Sequence, residues 1–300
     1  MVVGQYTEAS LSHGGRRVII DSHCHAWTTW PYDSRVPDPA TRGRIEQLLL
    51  EMDRNGVDRA VVICARIDGN PDNNEYVARE AARHPDRIVA FPDIDSVWSP
   101  EYHTAGAADR LAVAADRWSM AGFTHYLGDV DDGWLTSDAG LAFFRVAAER
   151  ELIASLTGPT TSLPRVRHVA AAFPRMPILL HHQGMARATD GQDSAGLREV
   201  LACADQPNIS VKASGFYYGS DRRHDYPWDA QRQVFRRIHD AFGARRLAWG
   251  SDYPVSPWVA CTYAQALEVV RERCTDFITP DEMADVLGGT LDRLLRTRHP

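Results

Sequence analysis

Apolar positions along the chain follow two periods that alternate from end to end. Short runs rich in β-branched residues, typical of buried strands, are followed by segments whose apolar residues recur at helical spacing. Residues 17–24 predict the first strand. The segment 42–55 then places apolar side chains at i, i+3, i+4 and i+7, from Ile45 to Met52, and Gly56 stands where a helix C-cap is expected.

The same alternation predicts eight strands and their helices. Strands are expected at 17–24, 58–64, 87–93, 122–127, 152–156, 177–182, 208–213 and 246–251. Helices are expected at 42–55, 73–84, 107–121, 137–150, 162–173, 195–204, 229–242, 260–274 and 280–296. Eight strand–helix repeats favour an α/β fold, a single (β/α)₈ TIM barrel. The alternative is a doubly wound open sheet, which usually has fewer strands and often a glycine-rich phosphate loop that this sequence lacks.

No shift in composition marks a linker. We therefore expect an N-terminal tail at 1–16 followed by one barrel domain at 17–300. The formal net charge of −7 and the scattered basic residues give no basis for nucleic-acid binding. No window approaches ~18 uninterrupted apolar residues, so no membrane span is expected. Five widely spaced cysteines without a CxxC pair indicate reduced thiols in a cytoplasmic protein. The sequence is compatible with a homo-oligomer and does not specify one.

Reactive side chains recur at the carboxyl ends of the predicted strands, where the active sites of TIM barrels lie. His23 and His25 end the first strand, and strand alternation points both the same way, with Cys24 opposite. Burying two imidazoles together is costly, which favours a functional role over a pair of satisfied core histidines. The other strand-end residues are Arg66, Asp93, Asp95, His125, Tyr126, His181, His182, Lys212 and Asp252.

Several of these residues have a structural alternative. His181 and His182 are neighbours and should face opposite sides, so at most one enters the barrel. Asp252 lies in Ser-Asp-Tyr-Pro, where an aspartate can simply form a turn. Lys212 and Arg66 could be surface charges.

Four segments together resemble the amidohydrolase superfamily, in particular its amidohydrolase-2 branch of decarboxylases and lactonases. They are IIDSHCHAW at strand one, ILLHHQG at strand six, ISVKASG at strand seven and LAWGSDYPVS at strand eight. The resemblance implies a (β/α)₈ barrel with His23 and His25 in metal-ligand or carbonyl-polarising positions. It also implies that His182 is the strand-six histidine, pointing inward with His181 outward, and that Asp252 is the strand-eight carboxylate.

Strand five departs from the zinc-dependent decarboxylases of that branch, which carry a ligating histidine there. Residues 151–163 contain none, and Ser155 and Thr157 occupy the region. This is similar to the lactonase side, where some enzymes lack an essential metal. One divalent ion, Zn²⁺ for example, could bind His23, His25 and Asp252 and keep an open position, but metal independence is equally compatible with the sequence.

These residues predict an enzyme that hydrolyses a small lactone or similar cyclic ester. Asp252 would activate water, and His23, His25 and His182 would stabilise the oxyanion with or without a divalent metal. The expected substrate-binding residues are Arg66, Tyr126, Lys212 and Tyr217. The alternative activity is metal-dependent decarboxylation of an unsaturated or aromatic acid. A non-catalytic barrel would instead have these side chains dispersed. The identity of the small-molecule substrate is not encoded in a readable motif.

Overall fold

Eight parallel strands form the inner layer of the protein. The computed structural model describes residues 17–32, 36–67 and 69–296, and the predicted tail at 1–16 lies outside them. The strands are β1 (Ile20–Cys24), β2 (Arg59–Ile63), β3 (Ile88–Phe91), β4 (Gly122–Tyr126), β5 (Ile153–Thr157), β6 (Ile178–Leu180), β7 (Ile209–Ala213) and β8 (Leu247–Trp249). Each lies within a few residues of its predicted position.

Helices follow the strands in regular alternation. They are α1 (Ile45–Asn55), α2 (Asn73–Arg83), α3 (Ala107–Trp118), α4 (Asp138–Glu149), α5 (Leu163–Ala172), α6 (Ala195–Ala202), α7 (Asp229–Phe242), α8 (Val255–Val259), α9 (Tyr263–Arg271), α10 (Pro280–Ala284) and α11 (Thr290–Arg296). The single helix predicted at 280–296 is divided by a π-helical turn at Asp285–Gly289. A Cβ at Gly288 would lie 2.1 Å from the carbonyl oxygen of Val18, so glycine permits this turn to approach the start of β1.

Hydrogen bonds close the strands into a ring. Strands β1–β3 form one paired group and β4–β8 another. Between β3 and β4, Thr124 N donates to Pro92 O at 2.8 Å. At the other junction, Asp252 N donates to His23 O at 2.7 Å and His25 N donates to Tyr253 O at 2.6 Å. The predicted (β/α)₈ barrel is confirmed.

The barrel interior is apolar at its lower end and polar at its upper end. Inward side chains from six strands pack into one buried cluster, composed of Ile20, Val61, Ile63, Phe91, Ile153, Leu179 and Ala248. Leu291 and Leu295 of α11 belong to the same cluster and seal the end where the strands begin. Polar chemistry is therefore confined to the carboxyl ends of the strands.

The outer core lies between the strands and the helices. It contains the apolar faces of α1 to α7, and all five cysteines belong to it. All five cysteines are buried and none forms a disulfide. Within the described residues, no helix has the length and apolarity needed to cross a bilayer.

Candidate active site

His23, in β1, and His25, just after it, both point into the barrel, as predicted. The pairing of β1 with β2 shifts register between Asp21 and Cys24. Cys24 then points outward, with Sγ 3.5 Å from the carbonyl oxygen of Val61. The two imidazole rings lie inside the barrel with centroids 4.9 Å apart, and both are buried.

Asp252 meets these imidazoles from the loop after β8. Its Oδ1 lies 3.5 Å from His23 Nε2 and 3.4 Å from His25 Nε2. The residue has a φ of +55°, a region that non-glycine residues rarely adopt. The hydrogen bond from Asp252 N to His23 O fixes this backbone against β1. Side chains that are more than 220 positions apart in the sequence therefore lie next to one another in the structure.

A second carboxylate, that of Asp21, links β1 to the loop after β8 through hydrogen bonds. It accepts hydrogen bonds from His23 N at 3.0 Å and from Ser251 N and Tyr263 Oη, both at 2.9 Å. Burial raises the pKa of Asp21 to about 6, although the bonds from Ser251 oppose that shift. No role for Asp21 was predicted from the sequence. The only feature of the sequence that pointed to Asp21 is its position two residues before His23.

His181 and His182 both enter the site, so the prediction that His181 points outward is wrong. Leu179 of β6 points inward, and strand alternation therefore turns His181 inward as well. The strand ends before His182, whose φ of +41° redirects its side chain toward the same centre. The ring centroids of His181 and His182 lie 4.5 and 4.4 Å from that of His23.

Lys212 lies below the imidazoles. Its Nζ is 3.1 Å from His23 Nδ1 and 2.7 Å from Ser155 Oγ. Ser155 Oγ in turn lies 2.7 Å from His181 Nε2, so a polar network joins β1, β5, β6 and β7. Burial lowers the pKa of Lys212 well below its usual range, and burial followed by the charge of Lys212 does the same for His23.

Two tyrosines hold the other oxygen of Asp252. Tyr217 Oη donates a hydrogen bond to Asp252 Oδ2, and Tyr218 Oη donates to the same atom at 2.9 Å. Both tyrosines belong to the turn Phe216–Gly219, which begins after Gly215 at a φ of +63°. A Cβ at Gly215 would lie 2.6 Å from the Tyr218 ring, so this approach requires glycine.

The surroundings keep Asp252 ionised. Burial alone would raise its pKa, but the interactions with the surrounding imidazoles outweigh the effect of burial. His182, and then the contacts with His23 and His25, hold the pKa of Asp252 well below its usual range. An ionised carboxylate at this position can accept a proton from water.

A cavity of about 480 Å³ opens above Asp252. Its polar floor contains His25, His182 and Asp252, and its walls include the aromatic side chains Tyr32, Trp98, Tyr126 and Tyr218. Arg66 is the only arginine or lysine that lines the cavity in the described part of the chain. Of the predicted substrate-binding residues, Arg66 and Tyr126 border this space. Lys212 and Tyr217 instead lie behind it and contact His23 and Asp252.

Three other strand-end residues lie outside this centre. Asp93 accepts a hydrogen bond from Arg66 N at 2.9 Å and so supports the rim. Asp95 pairs with Arg110 at 2.5 Å. His125 points away from the barrel interior, with Nδ1 2.9 Å from the carbonyl oxygen of Ile94.

The donor atoms of His23, His25 and Asp252 fit a divalent ion. They lie within 4.8 Å of one another. His25 donates its Nδ1 proton to Ile63 O at 2.7 Å, which leaves a lone pair on Nε2 when the ring is neutral. His23 Nε2 is buried with no hydrogen-bond partner, an arrangement that a bound cation would satisfy. Two imidazoles and one carboxylate with an open position are a common ligand set for catalytic zinc.

The barrel and this His-His-Asp centre define a class of hydrolytic TIM-barrel enzymes. Residues 20–297 match the family model described as amidohydrolase. The chain therefore belongs to the amidohydrolase family, as the sequence motifs indicated, and is an enzyme of that family.

Curated and solved relatives agree with this assignment. An L-fucono-1,5-lactonase of Burkholderia ambifaria is 26% identical, over 94% of this chain and 96% of the relative. An amidohydrolase of Burkholderia multivorans with bound zinc superposes with a TM-score of 0.72 at 22% identity, covering 93% of this chain and 99% of that chain. A 5-carboxyvanillate decarboxylase of Sphingomonas paucimobilis reaches 0.66 at 16% identity, covering 94% and 99%. The two structures share the fold with this chain.

Proposed function

We propose that this enzyme hydrolyses a small lactone, with Asp252 as the base that activates water. One observation carries the proposal: the Asp252 carboxylate lies within 3.5 Å of two imidazoles at the floor of an open cavity. A water molecule bound at Oδ1 would lose its proton to Asp252 as its oxygen adds to the lactone carbonyl carbon.

The imidazoles are proposed to stabilise the oxyanion that forms. His182 borders the cavity, and Ser214 Oγ holds its Nδ1 at 3.0 Å, which fixes the orientation of the ring. His25 Nε2 faces the same space as a ligand for a cation or, when protonated, as a donor to the oxyanion. A zinc ion bound by His23, His25 and Asp252 would polarise the carbonyl as a Lewis acid and acidify water.

Arg66 and Tyr126 are proposed to hold the substrate, because both line the cavity. Lys212 and Tyr217 would act on the substrate indirectly, through His23 and Asp252. The aromatic walls are suited to the C–H faces of a sugar-like ring. A neutral or singly charged lactone, for example an aldono-1,5-lactone like the one named for the Burkholderia ambifaria relative, fits a cavity with one cationic side chain. The buried, unpaired cysteines support a cytoplasmic location.

The second candidate is metal-dependent decarboxylation of an unsaturated or aromatic acid. The three residues that could bind a metal ion, His23, His25 and Asp252, favour this activity, and so does the structural likeness to a decarboxylase. Acid release and CO₂ release separate the two activities. The wild-type chain should acidify an unbuffered solution of L-fucono-1,5-lactone faster than the uncatalysed rate. Release of CO₂ from 5-carboxyvanillate, without acid release from any of a panel of lactones, would replace the lactonase proposal with the decarboxylase.

A further inference from the structure

We infer that Tyr218 is a catalytic acid, which gives its hydroxyl proton to the ring oxygen of the lactone as the ring opens. The inference rests on the proposed lactone hydrolysis. It concerns the second half of that reaction, in which the alcohol group departs. An alkoxide is a very poor leaving group, so a proton donor must reach it when the C–O bond breaks.

The two oxygens of Asp252 face different partners. Oδ1 faces the imidazoles of His23 and His25, where water and the carbonyl group would meet. Oδ2 is occupied by the hydroxyls of Tyr217 and Tyr218. The oxygen that would take the proton of water is therefore different from the oxygen that the two tyrosine hydroxyls contact.

Only one of the two tyrosines can reach the substrate. Tyr217 is buried and is absent from the cavity wall, whereas Tyr218 lines the cavity. Tyr32 and Tyr126 also line the cavity. In the described part of the chain, Tyr218 is the cavity tyrosine whose hydroxyl hydrogen-bonds to Asp252. Its hydroxyl is therefore held at the cavity by the same carboxylate that would activate water.

The oxygen of water forms a bond to the carbonyl carbon, and the proton of water moves to Asp252. The carbonyl then re-forms, the bond between the carbonyl carbon and the ring oxygen breaks, and its electron pair goes to the ring oxygen. That oxygen takes the Tyr218 proton. After the hydroxy acid leaves, Asp252 releases its proton to solvent water in the cavity and the Tyr218 oxygen takes a proton from solvent water, which restores both groups.

Replacing the ring oxygen with sulfur tests this role, because a thiolate departs without protonation far more readily than an alkoxide. The substrates are L-fucono-1,5-lactone, or another aldono-1,5-lactone that the wild type hydrolyses, and its 1,5-thiolactone. Tyr218→Phe is expected to lower kcat on the oxygen lactone by about 100-fold, the scale of general acid catalysis. On the thiolactone its kcat should fall no further than that of Tyr217→Phe.

Tyr217→Phe is the matched control. It removes one hydroxyl from the same Asp252 oxygen, so any change in the basicity of Asp252 affects both variants. Tyr217→Phe should lower kcat on both lactones by the same factor. A Tyr218→Phe variant that loses the same factor on both lactones would overturn the inference. Absence of acid release from every lactone by the wild type would instead remove the proposed function itself.

Oxygen exchange gives a second readout on the oxygen lactone alone. When departure of the ring oxygen is impaired, the tetrahedral intermediate returns to lactone more often. In ¹⁸O-labelled water, Tyr218→Phe should therefore increase the ratio of carbonyl ¹⁸O in unreacted lactone to acid formed, relative to wild type and Tyr217→Phe. Equal ratios in the two variants would count against Tyr218 as the acid.

Discussion

The amine of Lys212 lies 3.1 Å from Nδ1 of His23, beneath the cavity and fully buried. Lys212 is the only lysine in the 300-residue sequence, in which every other basic side chain besides histidine is an arginine. A lysine amine is compact and can point its protons in several directions, whereas a guanidinium is wide and planar. The narrow space between His23 and Ser155 therefore suits lysine.

Removing this amine should impair catalysis. Lys212→Met deletes the hydrogen bonds to His23 and Ser155, so kcat on the lactone should fall roughly 5- to 100-fold, as expected for an unmade buried hydrogen bond. Arg245→Met shortens a basic side chain at an exposed position and should leave kcat near wild type. Wild-type turnover by Lys212→Met would show that the network below His23 does not support the reaction.

Arg66 should contribute to substrate binding. Because it is the cationic side chain of the cavity wall, Arg66→Gln is expected to raise KM about 10-fold through loss of a charge-assisted hydrogen bond. Arg117→Gln is the control, since this exposed arginine pairs with Glu75 away from the cavity. Steady-state kinetics should show no change for the control. An unchanged KM for Arg66→Gln would remove it from the substrate-binding residues.

His125 should make the fold sensitive to acid. Burial lowers its pKa from 6.5 to about 4, and His103 Nε2 lies 3.2 Å from its own Nε2, with Asp132 on the far side of His103. Between these pH values the unfolded chain binds a proton that the folded chain does not, so the free energy of unfolding falls as pH decreases. The contribution of His125 to this loss is on the order of 3 kcal/mol between pH 7.5 and pH 4.

Urea unfolding at the two pH values measures that loss. His125→Gln should lose less stability on acidification than wild type, by up to the amount attributed to His125. His168→Gln, at an exposed position on α5, should lose as much as wild type. Identical losses in all three proteins would show that His125 is not the acid-sensitive group.

The His-His-Asp centre should bind zinc. Equilibrium dialysis followed by elemental analysis is expected to give one tightly bound Zn²⁺ per wild-type chain. His25→Gln removes one of the three donors and should weaken zinc binding by more than about tenfold. Loss of a residue that only hydrogen-bonds to a metal ligand can already weaken binding by that factor. His224→Gln, at an exposed position, should bind as the wild type does. Equal affinity in all three proteins would place the ion elsewhere.

The fold could be predicted because each strand and helix carries its own local pattern. The alternation placed all eight strands, and the rule that side chains alternate placed His23 and His25 together. The same rule failed for His181 and His182 because it holds only while the backbone remains extended. Strand β6 ends at Leu180, and nothing in the sequence states that His182 adopts a φ of +41°.

The remaining site residues depend on contacts between distant segments. Asp21 is linked to Ser251 and Tyr263 across more than 200 positions, and Lys212 reaches Ser155 across the barrel. A single sequence contains no record of such pairs. Tyr218 lies in an aromatic run at positions 216–218 of the sequence, but only the turn after Gly215 shows that its hydroxyl meets Asp252.

The most direct test of the proposed reaction is the rate of acid release by Asp252→Asn. Asparagine is close to aspartate in shape but cannot accept a proton from water, so kcat on the lactone should fall by at least about 100-fold. Circular dichroism and the unfolding midpoint should confirm that the variant remains folded. A folded Asp252→Asn enzyme that hydrolyses the lactone at nearly the wild-type rate would contradict the assignment of Asp252 as the base, and with it the mechanism built on this centre.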